Sequence, residues 1–151
     1  MSGYIMNLRK VLGPQPLIMA AAAVIVIHED GRILLQHRSD NGCWGLPGGS
    51  MELGESFEET ARRELLEETG LVAGKLELLY VHSGRDAFYI YPNGHQVYVA
   101  SVIFTTTEFT GHIKVDQDES LEVEWFHTTD LPANLNPVDK PVIEFYIEHQ
   151  S

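Results

Sequence analysis

The sequence predicts an α+β fold: several strands, interrupted by two main helices, forming a sheet covered on both faces. Three observations carry this. Leu17 to Ile27 is an unbroken apolar run of eleven residues, too short to span a bilayer as a helix. Its second half, Val24-Ile25-Val26-Ile27, is β-branched and leads into the turn signal Asp30-Gly31, so the run reads as a buried central strand. Two later stretches, 56–70 and 141–149, carry helix start signals and apolar stripes. Around them, short β-prone segments are separated by Gly, Pro and Asn. Patterning alone leaves several α+β topologies open.

Each element has its own signal. Tyr4, Leu8 and Val11/Leu12 recur at helical spacing, which predicts a short helix over 4–12 that Pro14 and Pro16 end. Strands follow at about 18–28 and 33–38, joined by a turn at Glu29 to Arg32. Ser39 to Ser56 is polar and glycine-rich with no strand or helix pattern, and reads as a working loop. Ser56-x-x-Glu59 is a capping-box pattern, so a helix starts there. Phe57, Ala61 and Leu65 form its apolar stripe with Leu66 beside it, and Gly70 suits its C-terminal turn. Strands are expected at 75–82, 86–91, 96–106 and 121–127, with Pro92-Asn93-Gly94 as a hairpin turn. Pro141 opens a final helix to His149.

With 151 residues, the chain is expected to form one domain, 1–151, with residues 1–16 as an N-terminal extension. Its 44% hydrophobic and 21% charged composition is that of a soluble globular protein. The formal charge of −12, from 22 acidic and 10 basic residues, argues against a broad nucleic-acid surface. Small nucleotides stay allowed, because bound divalent cations reverse the local sign. Cys43 is the single cysteine, so no internal disulfide can form and no oxidising compartment is needed. Arg9 and Lys10 ahead of the apolar run imitate a signal peptide. The strand reading wins, no membrane span is expected, and the cytoplasm is the expected location.

The chemistry is concentrated in one place. Glu64, Glu67 and Glu68 stand at i, i+3 and i+4 of the predicted helix and so share a face. Bare like charges at that spacing weaken a helix. Their grouping makes sense if hard, oxygen-seeking cations such as Mg²⁺ or Mn²⁺ sit between them. Gly48 and Gly49 precede them, and glycine lets a backbone approach a cation or phosphate closely. Clustered glutamates beside a glycine-rich loop suggest phosphate chemistry.

The stretch from Gly49 to Leu71 resembles the Nudix box, G-x5-E-x7-R-E-U-x-E-E-x-G-U, where U is a bulky aliphatic residue. Every fixed position is met, by Gly49, Glu55, Arg63, Glu64, Leu65, Glu67, Glu68, Gly70 and Leu71. A chance match of this length falls below about 10⁻⁸ per starting position at average residue usage. The box covers 23 of 151 residues. Trp44-Gly45-Leu46-Pro47-Gly48-Gly49 before it, and Glu124-Trp125-Phe126 with Leu131-Pro132 after it, are also similar to the family.

The resemblance implies an α/β/α sandwich around a mixed β-sheet, with residues 44–71 as the catalytic loop and helix. It implies Mg²⁺, with Mn²⁺ as a substitute. Glu67 and Glu68 would be central ligands, and Glu64 would support the metal site or act as a base. The Gly48 carbonyl would be a further ligand. Arg63 and Glu55 would organise the loop and helix, since arginine can orient carboxylates through a two-pronged hydrogen bond. Outside the box, Glu119 or Glu122 would supply a late acidic residue, with Glu119 the better candidate, although an ordinary acidic loop explains both. Arg38 could meet a phosphate or be a surface arginine. Arg85, Tyr89 and Tyr91 could contact a base or ribose, although packing is the commoner role of alternating tyrosines.

These features imply a Mg²⁺-dependent pyrophosphohydrolase acting on a nucleoside diphosphate linked to another moiety. A MutT-like nucleoside triphosphate pyrophosphatase is one form; an ADP-ribose or sugar-nucleotide pyrophosphatase is another. The alternative is a catalytically silent nucleotide-binding regulatory module, which would be expected to lack box glutamates that this chain keeps. The partner is a nucleotide-type small molecule, and the chain a monomer or homodimer.

Overall fold

A computed structural model describes residues 3–115 and 120–150. Helix α1 (Gly3–Leu12) leads into β1 (Leu17–Val26), β2 (Ile33–Arg38), β3 (Trp44–Gly45) and β4 (Gly48–Ser50). Helix α2 (Phe57–Thr69) follows, then β5 (Leu71–Ala73) and β6 (Glu77–His82). A 3₁₀ turn at Arg85–Ala87 precedes β7 (Phe88–Ile90), β8 (Gln96–Thr106), β9 (Phe109–Gly111), β10 (Ser120–Phe126) and α3 (Lys140–His149).

The main sheet runs β4-β1-β8-β6, with β7 also paired to β8. β1 and β8 are parallel, from Leu17 opposite Val97 to Val26 opposite Thr106. The other pairings in this sheet are antiparallel, so the sheet is mixed, as expected. A second sheet has the order β10-β2-β3, and β5 pairs with β9.

Alternation along β1 builds the layers, because successive side chains leave opposite faces. Ala22, Val24 and Val26 pack with Ala61 and Leu65 of α2. Ala23 and Ile25 pack with Val142, Ile143 and Tyr146 of α3. Leu17, Met19 and Ala21, on that same face, belong to a cluster that includes Ile5 and Leu8 of α1. The result is the α/β/α sandwich, with α2 on one face and α1 and α3 on the other. Val24, Ile25 and Val26 are fully buried, and each such burial contributes roughly 1.5–3 kcal/mol. The first half of β1 is covered on one face only, since Ile18 is exposed.

Helix α2 starts and stops where its signals stand. The Ser56 hydroxyl accepts from the Glu59 N–H at 3.1 Å, and the Glu59 carboxylate accepts from the Ser56 N–H at 2.9 Å. Gly70 turns left-handed at φ 81°. Leu66 is exposed rather than part of the buried stripe; at about 100° per residue it points away from Leu65.

Several short strands escape the pattern reading. The stretch expected to be free of strands contains β3 and β4, and β5 and β9 appear where none was expected. Gly48, Gly49 and Ser50 pair with Ala23, Ala22 and Ala21. Gly-Gly-Ser has no β preference, so pairing with β1 imposes this strand. The strand expected at 86–91 shrinks to Phe88–Ile90 because Arg85–Ala87 forms the 3₁₀ turn. Among the described residues, no helix is long and apolar enough to cross a membrane.

Candidate active site

Helix α2 and strand β4 press two carboxylates against a glycine backbone. Glu64 and Glu68 lie one turn apart, and each is 4% exposed. Glu68 accepts hydrogen bonds from the Gly48 N–H at 2.8 Å and from Gln36 Nε2 at 3.0 Å. Burial, and then the Glu64 charge, push the Glu68 carboxyl well above the usual carboxylate range, against the pull of those two bonds. Gly49 must be glycine for a local reason: a Cβ there would lie 2.6 Å from the Glu64 carboxyl carbon. A Cβ on Gly48 would strike the Ala22 carbonyl oxygen.

The ladder also orients Gly48. Val24 N–H bonds the Pro47 carbonyl at 3.0 Å and Met51 N–H bonds the Ala20 carbonyl at 2.9 Å. Antiparallel pairs alternate between bonded and non-bonded positions, so Gly48 falls at a non-bonded one. Its N–H and C=O both turn away from β1, and its N–H meets Glu68.

Arg63 ties this corner together. Its Nε and Nη2 grip the two oxygens of Glu55 at 2.6 and 3.0 Å. Its Nη1 reaches Glu64 at 2.8 Å, and Nη2 also holds the Ser50 carbonyl at 3.0 Å. Glu55 further accepts from the Glu52 N–H and the Thr60 hydroxyl. The Arg63 hydrogen bond, opposed by burial, leaves the Glu55 pKa lowered to about 2. Glu67 stands apart from the buried pair. Its side chain is 44% exposed and meets Arg63 at 3.4 Å.

A cavity of about 430 Å³ opens beside the carboxylates, on the α1 and α3 face of the sheet. Glu64, Glu68, Gly48 and Gly49 form part of its wall, and Arg38, Tyr89 and Tyr91 another part. Arg38 grips Asp40 through two bonds at 3.0 and 2.9 Å. The Tyr89 and Tyr91 rings meet edge to face at 4.9 Å, and Asn41 donates to the Tyr89 hydroxyl at 2.7 Å. The tyrosines belong to the α1-side packing cluster and also line the cavity.

The remaining candidates lie elsewhere. Arg85 is exposed and does not line the cavity. Glu122 sits half-exposed on β10, 3.9 Å from His37. Glu119 lies outside the described residues.

Sequence reading passed over several wall residues, among them Asp139 and His82. Asp139 precedes α3 and accepts from the Leu46 N–H at 3.2 Å and Asn136 Nδ2 at 3.0 Å. Burial pushes its carboxyl pKa up, against the Asn136 bond. An aspartate just ahead of Lys140-Pro141 is a helix-start signal that marks its place in the chain. His82, at the end of β6, has no comparable signal.

The donor chemistry fits a hard divalent cation. Buried charges are normally paired or bound to metal, and Glu64 and Glu68 offer oxygen donors only. Among the described residues, no group of three or more His, Cys, Asp or Glu side chains converges into a ready cage. Two carboxylates can still hold a hard divalent cation, with waters and substrate phosphates as the remaining donors.

Comparison with known proteins follows the same lines. The NUDIX domain family model matches residues 17–146. An ADP-ribose pyrophosphatase of Methanocaldococcus jannaschii is 40% identical over 116 residues, covering 75% of this chain and 64% of that protein. A MutT-like protein of Streptomyces ambofaciens is 37% identical over 123 residues, covering 82% of this chain and 73% of the other. The crystal structure of a MutT NUDIX hydrolase from Burkholderia pseudomallei superposes with a TM-score of 0.72 at 31% identity, covering 86% of this chain and 97% of that one.

Proposed function

Because this chain belongs to the Nudix family, we propose that it is a pyrophosphohydrolase that cleaves a nucleoside diphosphate linked to another moiety. The observation that carries this is the buried Glu64–Glu68 pair in the wall of a nucleotide-sized cavity. Glu64, Glu68 and the Gly48 carbonyl would hold Mg²⁺, or Mn²⁺ in its place, with Glu67 and Glu119 as further acidic donors. The bound cation would neutralise phosphate charge and lower the pKa of the attacking water.

The chain's own residues do the rest. Arg63, fixed by Glu55, holds the Glu64 carboxylate in one orientation. Gly49 leaves room for that carboxylate against the strand. Arg38 presents a cation to the cavity where a phosphate would lie. Tyr89 and Tyr91 offer ring surface for a base or ribose. The intact carboxylate pair supports catalysis over the silent regulatory module.

A substrate panel tests this reading. ADP-ribose, sugar nucleotides and nucleoside triphosphates are offered with Mg²⁺ in ¹⁸O water, and products are resolved by mass. Cleavage of a phosphoanhydride bond with one ¹⁸O in a phosphate product is expected. Turnover of none of them would overturn it.

A further inference from the structure

His82 is 7% exposed, and its Nε2 is buried with no hydrogen-bond partner among the described residues. The other ring nitrogen lies 3.3 Å from the Tyr80 hydroxyl. Tyr80 is itself stacked on Phe145 of α3 at 4.0 Å between ring centroids. The imidazole is therefore steadied on one side and unmatched on the other. Burying a polar group without a partner costs free energy, so this placement asks for an explanation.

The register supplies one. His82 pairs with Ser101 on β8, and cross-strand partners share a face. Ser101 lies on the same face of β8 as Val97 and Val99, and all four residues line the cavity that Glu64 and Glu68 border. The cavity thus combines carboxylates, the aromatic rings of Tyr89 and Tyr91, an apolar wall at Val97 and Val99, and one unmatched polar edge at His82. A flat heterocycle with hydrogen-bonding groups on its rim needs that combination: apolar surface for its faces and a polar group for its edge.

We propose that His82 Nε2 reads the edge of the substrate's nucleobase and so contributes to base specificity. The assignment rests on the nucleotide reading above and names the part of the cavity that holds the base. If the Tyr80 hydroxyl donates to Nδ1, Nε2 carries the proton and addresses an acceptor on the base; the reverse tautomer addresses a donor.

The test separates this assignment from hydrolysis by measuring binding in chelator. AMP, GMP, CMP, UMP and ribose 5-phosphate are titrated calorimetrically into the wild type and into His82→Phe. The wild type should prefer one base. His82→Phe should bind that nucleotide about ten-fold more weakly, which corresponds to ~1.4 kcal/mol, while binding of ribose 5-phosphate stays the same. Nitrogen NMR of the wild-type imidazole should show the Nε2 resonance moving at saturation with the preferred nucleotide. That reading does not depend on whether the variant folds. Failure of all four nucleotides to bind, equal affinities in the two proteins, or a stationary Nε2 resonance would overturn the assignment. An absence of turnover with these binding results intact would count against the hydrolase reading alone.

Discussion

Glu68 must be charged to hold a cation, yet it lies buried beside Glu64. Glu64→Gln and Glu68→Gln keep the side-chain shape and remove the charge. Each should lower kcat at least about 100-fold, in the range seen when one preorganised catalytic group is lost. Circular dichroism should show the fold unchanged. Glu55 behaves differently, because Arg63 holds its pKa at about 2 against an ordinary 4.5. A carboxylate depressed on folding adds stability that is present above pH 4.5 and is lost as pH falls toward 2. Denaturation of wild type and Glu55→Gln across this range should show a stability gap that closes on acidification. A gap that persists at pH 2 would remove the Arg63 bond as its cause. The glutamates, Arg63 and Glu55 were legible in the sequence because they sit at fixed spacings in the box. His82 was not, because strand register alone brings it to the cavity; Asp139 carried a helix-start signal, but only the approach of α3 brings it to the cavity.

At the scale of elements, α2 was the most legible because local bonds define both its ends. Ser56→Ala removes one half of the capping box and should cost about 1 kcal/mol of stability, read by urea unfolding, with activity largely kept. Gly49→Ala should do the reverse. Its Cβ would meet the Glu64 carboxylate, so turnover should fall far more than stability. Equal activity of Gly49→Ala and wild type would show that β4 does not press on Glu64. β4 itself was hidden in the sequence. Three residues without β preference become a strand only when β1 offers them a pairing edge. The same holds for β5 and β9, whose partner lies across the fold. Strand 96–106 was visible because eleven residues of β pattern need no partner to be noticed.

For the whole molecule, the mixed sheet between α2 and the α1/α3 layer sets one carboxylate corner beside one cavity. The order of strands could not be read from periodicity, since β1 and β8 are parallel neighbours with residues 27–95 between them. The box resemblance supplied the α/β/α layers and the mixed sheet, but not the order of the strands. The formal charge of −12 makes approach of a polyanionic nucleotide unfavourable, so divalent cations should matter to encounter as well as to chemistry. Binding isotherms with single-stranded and duplex DNA should show no association at physiological salt.

One titration decides whether the buried pair is the catalytic cation site. Turnover of the best substrate is followed against free Mg²⁺ for wild type, Glu64→Gln and Glu68→Gln, with Mn²⁺ binding read by electron paramagnetic resonance. Wild-type activity should rise from zero in chelator to saturation, and both variants should lose Mn²⁺ affinity and turnover together. Full activity in chelator, or unchanged Mn²⁺ binding in both variants, would contradict the site described here.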